Sequence, residues 1–247
     1  MSRRSRAEAI VLNRSALGES DWIVTLLSRD HGKFRAVAPG ARRSKRRFAG
    51  CLELFSLIDA RFVEKANGLH RLEEAVLLDS HEPITKDLVS IAHAGYAVEL
   101  AGAFLGEADE AAGFFDLLTG TLTRLKAGPL SAKEIRSYEL GILGLAGFAP
   151  RFSSCLGCGT HQAIKWVFDH VQGALFCVDC ATGRQLQEIS PAVLGLLNAL
   201  QTGREPDQTI DAQSMATARG LLAGIIDSHT SRPLKAREFL RKLAGTE

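Results

Sequence analysis

Four cysteines stand in two matched pairs, Cys155-x2-Cys158 and Cys177-x2-Cys180, within CLGCGTHQAIKWVFDHVQGALFCVDC. Thiolates two residues apart let one turn supply two vertices of a tetrahedron, and the second pair supplies the other two. The expected ligand is Zn²⁺. Four sulfurs leave no open coordination position, so the ion would brace structure and carry no chemistry. Two matched pairs argue against a redox CxxC, and the odd total of five cysteines argues against a disulfide framework. His161 and His170 fall inside the segment but read as surface or hairpin residues, and Cys51 reads as a small buried apolar side chain.

The second concentration of chemistry is GARRSKRRFAG, residues 40–50, in which Arg42, Arg43, Lys45, Arg46 and Arg47 crowd into six positions. Like charges packed this closely repel unless salt or a polyanion neutralises them. A phosphate backbone does so and releases counterions, which makes affinity fall steeply with salt. Arg35 joins this surface, with Arg3, Arg4 and Arg6 as further candidates. Phe34 and Phe48 could stack bases, although each fits a core position as well. No recognition helix or base-reading set accompanies the charge, so sequence specificity is not expected.

The formal net charge of +2 conceals an asymmetry: residues 1–50 hold 12 Lys or Arg against 4 Asp or Glu, while residues 51–150 hold 8 against 15. A polyanion contact local to the N-terminal part follows from that. The histidines are scattered, no GxSxG or phosphate-binding glycine loop occurs, and acid pairs such as Glu73–Glu74 or Glu19–Asp21 lack a third ligand. An enzyme is not expected. No apolar run is long enough for a membrane span, and the basic start lacks the apolar stretch of a secretory signal, so the expected location is cytoplasmic.

The elements that must position these groups change character along the chain. RAEAIVLNR, DWIVTLLS, GKFRAVAPG, CLELFSLIDARFVEK and HRLEEAVLLDS read as five strands within residues 6–80, separated by turn-like pieces. Five short strands suit an OB-fold or an SH3-like barrel equally well. From residue 85 the spacing becomes helical, with Thr85 as a cap, a second helix over 113–127, and a Ser131–Glu134 capping box opening a third that stops near Gly147 and Pro150. Ser190 and Pro191 open a fourth helix, and ATARGLLAGIIDSH and RPLKAREFLRKLAG supply two more.

Several of these stretches together resemble the RecO family of bacterial recombination mediators: ALGESDWIVTLLSRDHGKFRAVAPGARRSK (residues 16–45), YELGILGLAGFAPRFSSCLGCG (138–159), GALFCVDC and RPLKAREFL. The resemblance implies an N-terminal OB-fold barrel, residues 1–80, that binds DNA, and a helical domain, residues 81–247, carrying an inserted zinc module at about 151–184. It implies binding to single- and double-stranded DNA without sequence preference, strand annealing, and work with RecR, and in some bacteria RecF, to load RecA on DNA coated by single-strand binding protein. Such a protein would be cytoplasmic and nucleoid-associated.

Carried onto this chain, the DNA-binding surface is Arg35, Arg42, Arg43, Lys45, Arg46 and Arg47, while Gly18, Glu19 and Asp21 shape the barrel. The C-terminal tail of the single-strand binding protein would meet Lys235, Arg237, Arg241 and Lys242. Pro39 departs from the family pattern before Gly40. The competing readings are a zinc-stabilised RNA-binding module, a scaffold that binds only proteins and, more remotely, a nuclease.

Overall fold

The computed structural model describes residues 3–44, 46–65, 68–106, 111–182, 186–206 and 209–244. Its contacts divide into two compact units, one of residues 1–129 with 234–247 and one of residues 130–233. That division keeps the first two helices and the last one with the barrel, a different line from one drawn at residue 80.

The first unit is built on strands β1 (Arg4–Leu17), β2 (Asp21–Ser28), β3 (Gly32–Ala38), β4 (Leu57–Val63) and β5 (His70–Asp79), closed in the order β1-β2-β3-β5-β4. All pairs are antiparallel except β3 with β5, which run parallel through Ala36↔His70 and Val37↔Arg71. This order is the Greek key of an OB-fold and separates it from an SH3-like barrel. Strand β1 serves two partners, β4 with its first half and β2 with its second, and a register shift between Val11 and Asn13 bends it between them.

The barrel interior is narrow because small residues line it: Ala7, Ala9, Ala36, Ala38, Ala60 and Ala75 sit among Val11, Val24, Leu26, Phe34, Ile58, Phe62 and Leu72. Phe48, Cys51 and Leu52 from the long β3–β4 connection complete this core. The expected strand over 51–65 therefore begins only at Leu57. Residues 48–56 turn back to fill the barrel, anchored by Val11 N–H donating to Ser56 O and Phe55 N–H to Val11 O, at 2.9 and 3.0 Å.

A 3₁₀ turn at Glu82–Lys86 leads into α1 (Leu88–Phe104), followed by α2 (Ala112–Leu125). Asp87, not Thr85, caps α1: its carboxylate accepts from Ser90 N–H at 2.6 Å, while the Thr85 hydroxyl donates to Glu82 O inside the 3₁₀ turn. Gly102 of α1 lies over Leu12 and accepts a hydrogen bond from Lys33 Nζ at 2.7 Å, so the helix covers the outer face of β1 and β3. The last helix, α6 (Lys235–Ala244), also packs on α1; the Glu99 carboxylate accepts from the N–H groups of Lys235 and Ala236 at 2.9 and 2.7 Å.

The second unit packs α3 (Ala132–Leu145), α4 (Pro191–Gln201) and α5 (Ala212–His229) pairwise, with a small sheet of β6 (Arg151–Cys155), β7 (Trp166–Asp169), β8 (Ala174–Cys177) and β9 (Gln187–Ile189) in the order β6-β8-β7-β9. The Ser131–Glu134 capping box forms in full, and Ser190 caps α4 with Pro191 in its first turn. Helix α5 begins earlier than its apolar pattern, because Asp211 accepts from Ser214 N–H at 2.6 Å.

Candidate nucleic-acid interface and metal centre

Cys155 and Cys177 end β6 and β8, and Cys158 and Cys180 stand in the turns that follow. The four Sγ atoms all lie within 4.8 Å of one another. A tetrahedral ion with bonds of about 2.3 Å places its sulfurs about 3.8 Å apart. The Cys155–Cys177 and Cys158–Cys177 pairs are each separated by 3.8 Å. No pair approaches disulfide distance, and all are free thiols. The donor set therefore fits Zn²⁺ held by Cys155, Cys158, Cys177 and Cys180 in a closed, structural site. Gly157 is needed at the knuckle, since a Cβ there would come within 2.9 Å of Cys180 Cβ and Sγ.

The neighbouring sulfurs of Cys177, Cys158 and Cys155 push the Cys180 thiol up to about 12. At Cys155 burial opposes ionisation, but N–H groups of Cys177, Cys158 and Gly157 outweigh it and bring the thiol down to about 6. Neither nearby histidine joins the cluster. His161 Nδ1 meets Ser153 O at 2.9 Å, and His170 packs on α5, with Nδ1 3.3 Å from Leu221 O and its own carbonyl accepting from Ser228 Oγ. Asn198 and Gln201 of α4 donate to Phe152 O and Pro150 O, so the metal-bearing sheet is tied to α4 as well as to α5.

The basic stretch of the first unit rests on the plug just described. Asp21 Oδ1 accepts from Ser20 Oγ at 2.6 Å and from Gly40 N–H at 2.8 Å, and these two bonds, in that order, hold its carboxyl below the usual range. Gly40 adopts φ +68°, a conformation that favours glycine. Arg42 donates from its backbone to Ser20 O and from Nη1 to Gly18 O. Arg47 donates from Nη2 to Pro39 O, lies 5.1 Å over the Phe48 ring, and accepts at its carbonyl from Ala75 N–H. Two of the arginines thus brace the loop that carries them.

The other cations of the N-terminal region behave differently. Arg4 pairs with Glu73, Arg6 with Asp59, Arg14 with Glu53, Arg29 with Asp116 and Arg61 with Glu74. Carboxylates from the acidic middle of the sequence thus neutralise Arg4, Arg6, Arg14 and Arg29 of the basic beginning. Among the described residues, Arg35, Arg42, Arg43, Arg46 and Arg47 are exposed and none of them forms an ion pair. Lys45 lies outside the described residues. Phe34 and Phe48 are 7% and 3% exposed and belong to the barrel core, so neither presents a face to a base. Lys235, Arg241 and Lys242 are exposed on α6, Arg237 is half-buried, and Lys242 pairs with Glu238 at 3.3 Å.

Two features escaped the sequence. Arg14 and Arg42 both approach the Trp22 ring, at 5.0 and 5.4 Å from its centroid. Which arginines the pairing leaves out, Arg3 and Arg71 as well as the loop arginines and Arg35 among the described residues, depends on partners far away along the chain. A barrel of this strand order with an unneutralised basic loop, joined in one chain to a helical unit with a four-thiolate centre, defines an OB-barrel protein with a structural metal site. Residues 1–81 match the family model described as Recombination protein O N terminal, and residues 85–238 the one described as Recombination protein O C terminal.

The chain is 38% identical over 238 residues to the DNA repair protein RecO of Myxococcus xanthus, covering 96% of each. It is 35% identical over 246 residues to that of Anaeromyxobacter dehalogenans, covering 97% of each, and 34% identical over 244 residues to that of Geobacter sulfurreducens, covering 96% of this chain and 98% of the relative. The chain belongs to the RecO family of bacterial DNA repair proteins. Among the described residues no helix is long and apolar enough to cross a membrane.

Proposed function

We propose that this chain is a recombination mediator that binds single- and double-stranded DNA without reading sequence, anneals complementary strands, and acts with RecR and RecF to load RecA on DNA coated by single-strand binding protein. The observation that carries the reading is the set of exposed arginines at the β3–β4 loop, with Arg35 on β3, left without carboxylate partners while other arginines of the first strands are paired. Annealing requires two like-charged strands to approach, and a cationic surface lowers that repulsion without contacting base edges. Arg35, Arg42, Arg43, Lys45, Arg46 and Arg47 form this surface.

The acidic, apolar tail of the single-strand binding protein docks on α6 through Lys235, Arg237, Arg241 and Lys242. No bond is made or broken by the protein, and the metal keeps the β6–β9 sheet folded. Its place of action is the cytoplasm, at the nucleoid.

The test is binding and annealing of complementary oligonucleotides across a salt series, with a variant carrying alanine at Arg42, Arg43, Lys45, Arg46 and Arg47. Loss of binding and annealing with a flatter salt dependence is expected. Unchanged binding and slope would remove the loop from the interface. Failure of the wild type to bind or anneal at low salt would end the mediator reading.

A further inference from the structure

We infer that Arg14, Trp22 and Arg42 form a subsite for one unpaired nucleotide, the phosphate held by the two guanidinium groups and the base lodged in the cavity beside the Trp22 ring. This rests on the DNA-binding function proposed above and specifies which form of DNA this end of the barrel selects. The cavity has a volume of about 340 Å³ and is lined by Arg14, Trp22, Arg42, Ser44, Phe48 and Glu53 among others. Its size lies at the small end of the range for ligand pockets of about 300–1,000 Å³, large enough for a nucleotide and too small for a duplex.

Both guanidinium carbons sit near one ring centroid, at 5.0 and 5.4 Å, so they are no further apart than those two distances combined. Trp22 thereby concentrates two positive charges that would otherwise repel. Each is already fixed at one nitrogen: Arg14 Nη1 donates to Glu53 Oε1 at 2.6 Å, and Arg42 Nη1 donates to Gly18 O at 3.0 Å. A guanidinium has five N–H donors, so both keep donors for phosphate oxygens, in the forked geometry that suits them. One carboxylate, Glu53, faces two arginines, and the local balance stays positive.

Selection between single and double strands follows from access. An unpaired base can leave the stack and lie against an aromatic ring or a guanidinium plane. A paired base reaches such a cavity only by being flipped out, at a cost of a few kcal/mol. Arg43 and Arg46, exposed on the loop, touch phosphates of either form; the Trp22 cavity takes only the single strand.

The experiment uses the full-length protein with an oligothymidylate of about 20 nucleotides and a duplex of the same length, a span that exceeds one OB-fold's site. Anisotropy of the labelled DNA reports binding, and the emission difference between wild type and Trp22→Phe reports the cavity. Single strand at saturation is expected to change the Trp22 signal and duplex to leave it unchanged.

Arg14→Gln should weaken single-strand binding about tenfold and duplex binding less than about twofold, with little change in salt slope because Arg14 is already paired with Glu53. Glu53→Gln, which frees Arg14, should tighten single-strand binding by about twofold to threefold. Weakening by both variants would make the Arg14–Glu53 pair a structural brace and overturn the inference. So would a Trp22 signal that responds to both DNAs, or to neither while anisotropy shows binding; in that last case the binding function survives and the subsite does not. If anisotropy shows no binding at all, the function itself fails first.

Discussion

The pairing pattern of the arginines yields a prediction that residue counting does not. Arg43 and Arg46 make no side-chain hydrogen bond or ion pair among the described residues, so replacing both with alanine removes charge without removing a brace. Arg29 and Arg61 are equally arginines of the barrel unit, but each is already bonded to a carboxylate, Asp116 and Glu74. Each cation that neutralises one phosphate of a single strand contributes about 0.7 to the slope of log K against log salt. The loop pair therefore accounts for a slope of about 1.4, which at about 0.1 M salt is a loss of about 25-fold, or about 1.9 kcal/mol, shrinking to about fivefold near 0.3 M.

The control double variant, Arg29→Ala with Arg61→Ala, should leave the slope unchanged and the affinity within about twofold, because a neutralised pair releases few counterions. The assay is fluorescence anisotropy of labelled single-stranded DNA at five or more salt concentrations, with thermal unfolding confirming that both variants fold. Equal slope losses in the two variants would show that net charge alone matters and that the pairing seen in the barrel is irrelevant to binding. A loop variant with an unchanged slope would show that Arg43 and Arg46 do not meet phosphates.

Other consequences follow from single contacts. A Cβ on Gly224 would fall within 2.9 Å of His170 Cε1 and Cγ, and closer still to Nδ1, so Gly224→Ala should destabilise the helix–sheet packing by about 1–3 kcal/mol, and His170→Ala in the same chain should recover part of that in thermal unfolding. Burial holds the His81 imidazole below its ordinary range, against the opposing pull of Asp79 and the Phe55 carbonyl, with Lys126 adding to the lowering. The unfolded chain therefore binds the proton first, and this site's stability, complete above about pH 6.5, is lost as pH falls from there through the lowered folded value. Denaturant unfolding from pH 8 to pH 5 should show that loss, and His81→Asn, a residue that tolerates the local φ of +48°, should remove it. Cys177→Ser or chelation should abolish zinc binding and lower the unfolding temperature, while the salt slope for DNA, set in the barrel unit, stays as in the wild type.

The metal centre was legible in full because its information is local: two pairs at matched spacing, and a hairpin between them, specify the ligands before any packing is known. The basic loop was legible as a place but not as a mechanism. Whether an arginine is free depends on residues such as Asp59 for Arg6, Asp116 for Arg29 and Glu53 for Arg14, dozens of positions away, and charge counting cannot see which of them meet. The strand pattern gave the number of strands but not their order, since the parallel β3–β5 pair leaves no periodic trace. CLELF reads as a strand because its apolar residues are those a strand would use; the alanine-lined barrel takes Cys51 and Leu52 as filling instead. The return of α6 to the barrel unit depends on Glu99 reaching across to cap it, and nothing near Lys235 signals that.

That filling bears on how the loop works. Phe48 and Leu52 are buried at 3% and 4% exposure immediately after the cationic run. Burying two such side chains stabilises by about 3–6 kcal/mol in all. Neighbouring cations about 7 Å apart in water repel by about 0.6 kcal/mol per pair, so the crowding along the run costs about 2–3 kcal/mol. The anchor exceeds the repulsion, and Asp21 and the Gly18 carbonyl hold the other side of the loop through Gly40 and Arg42. Arg42 and Arg47 are therefore held in place before DNA arrives, and binding does not have to position them. A surface that must release one strand as soon as it has met its complement gains from this arrangement: its attraction is electrostatic and readily tuned by salt, while its shape is fixed by the core beneath it.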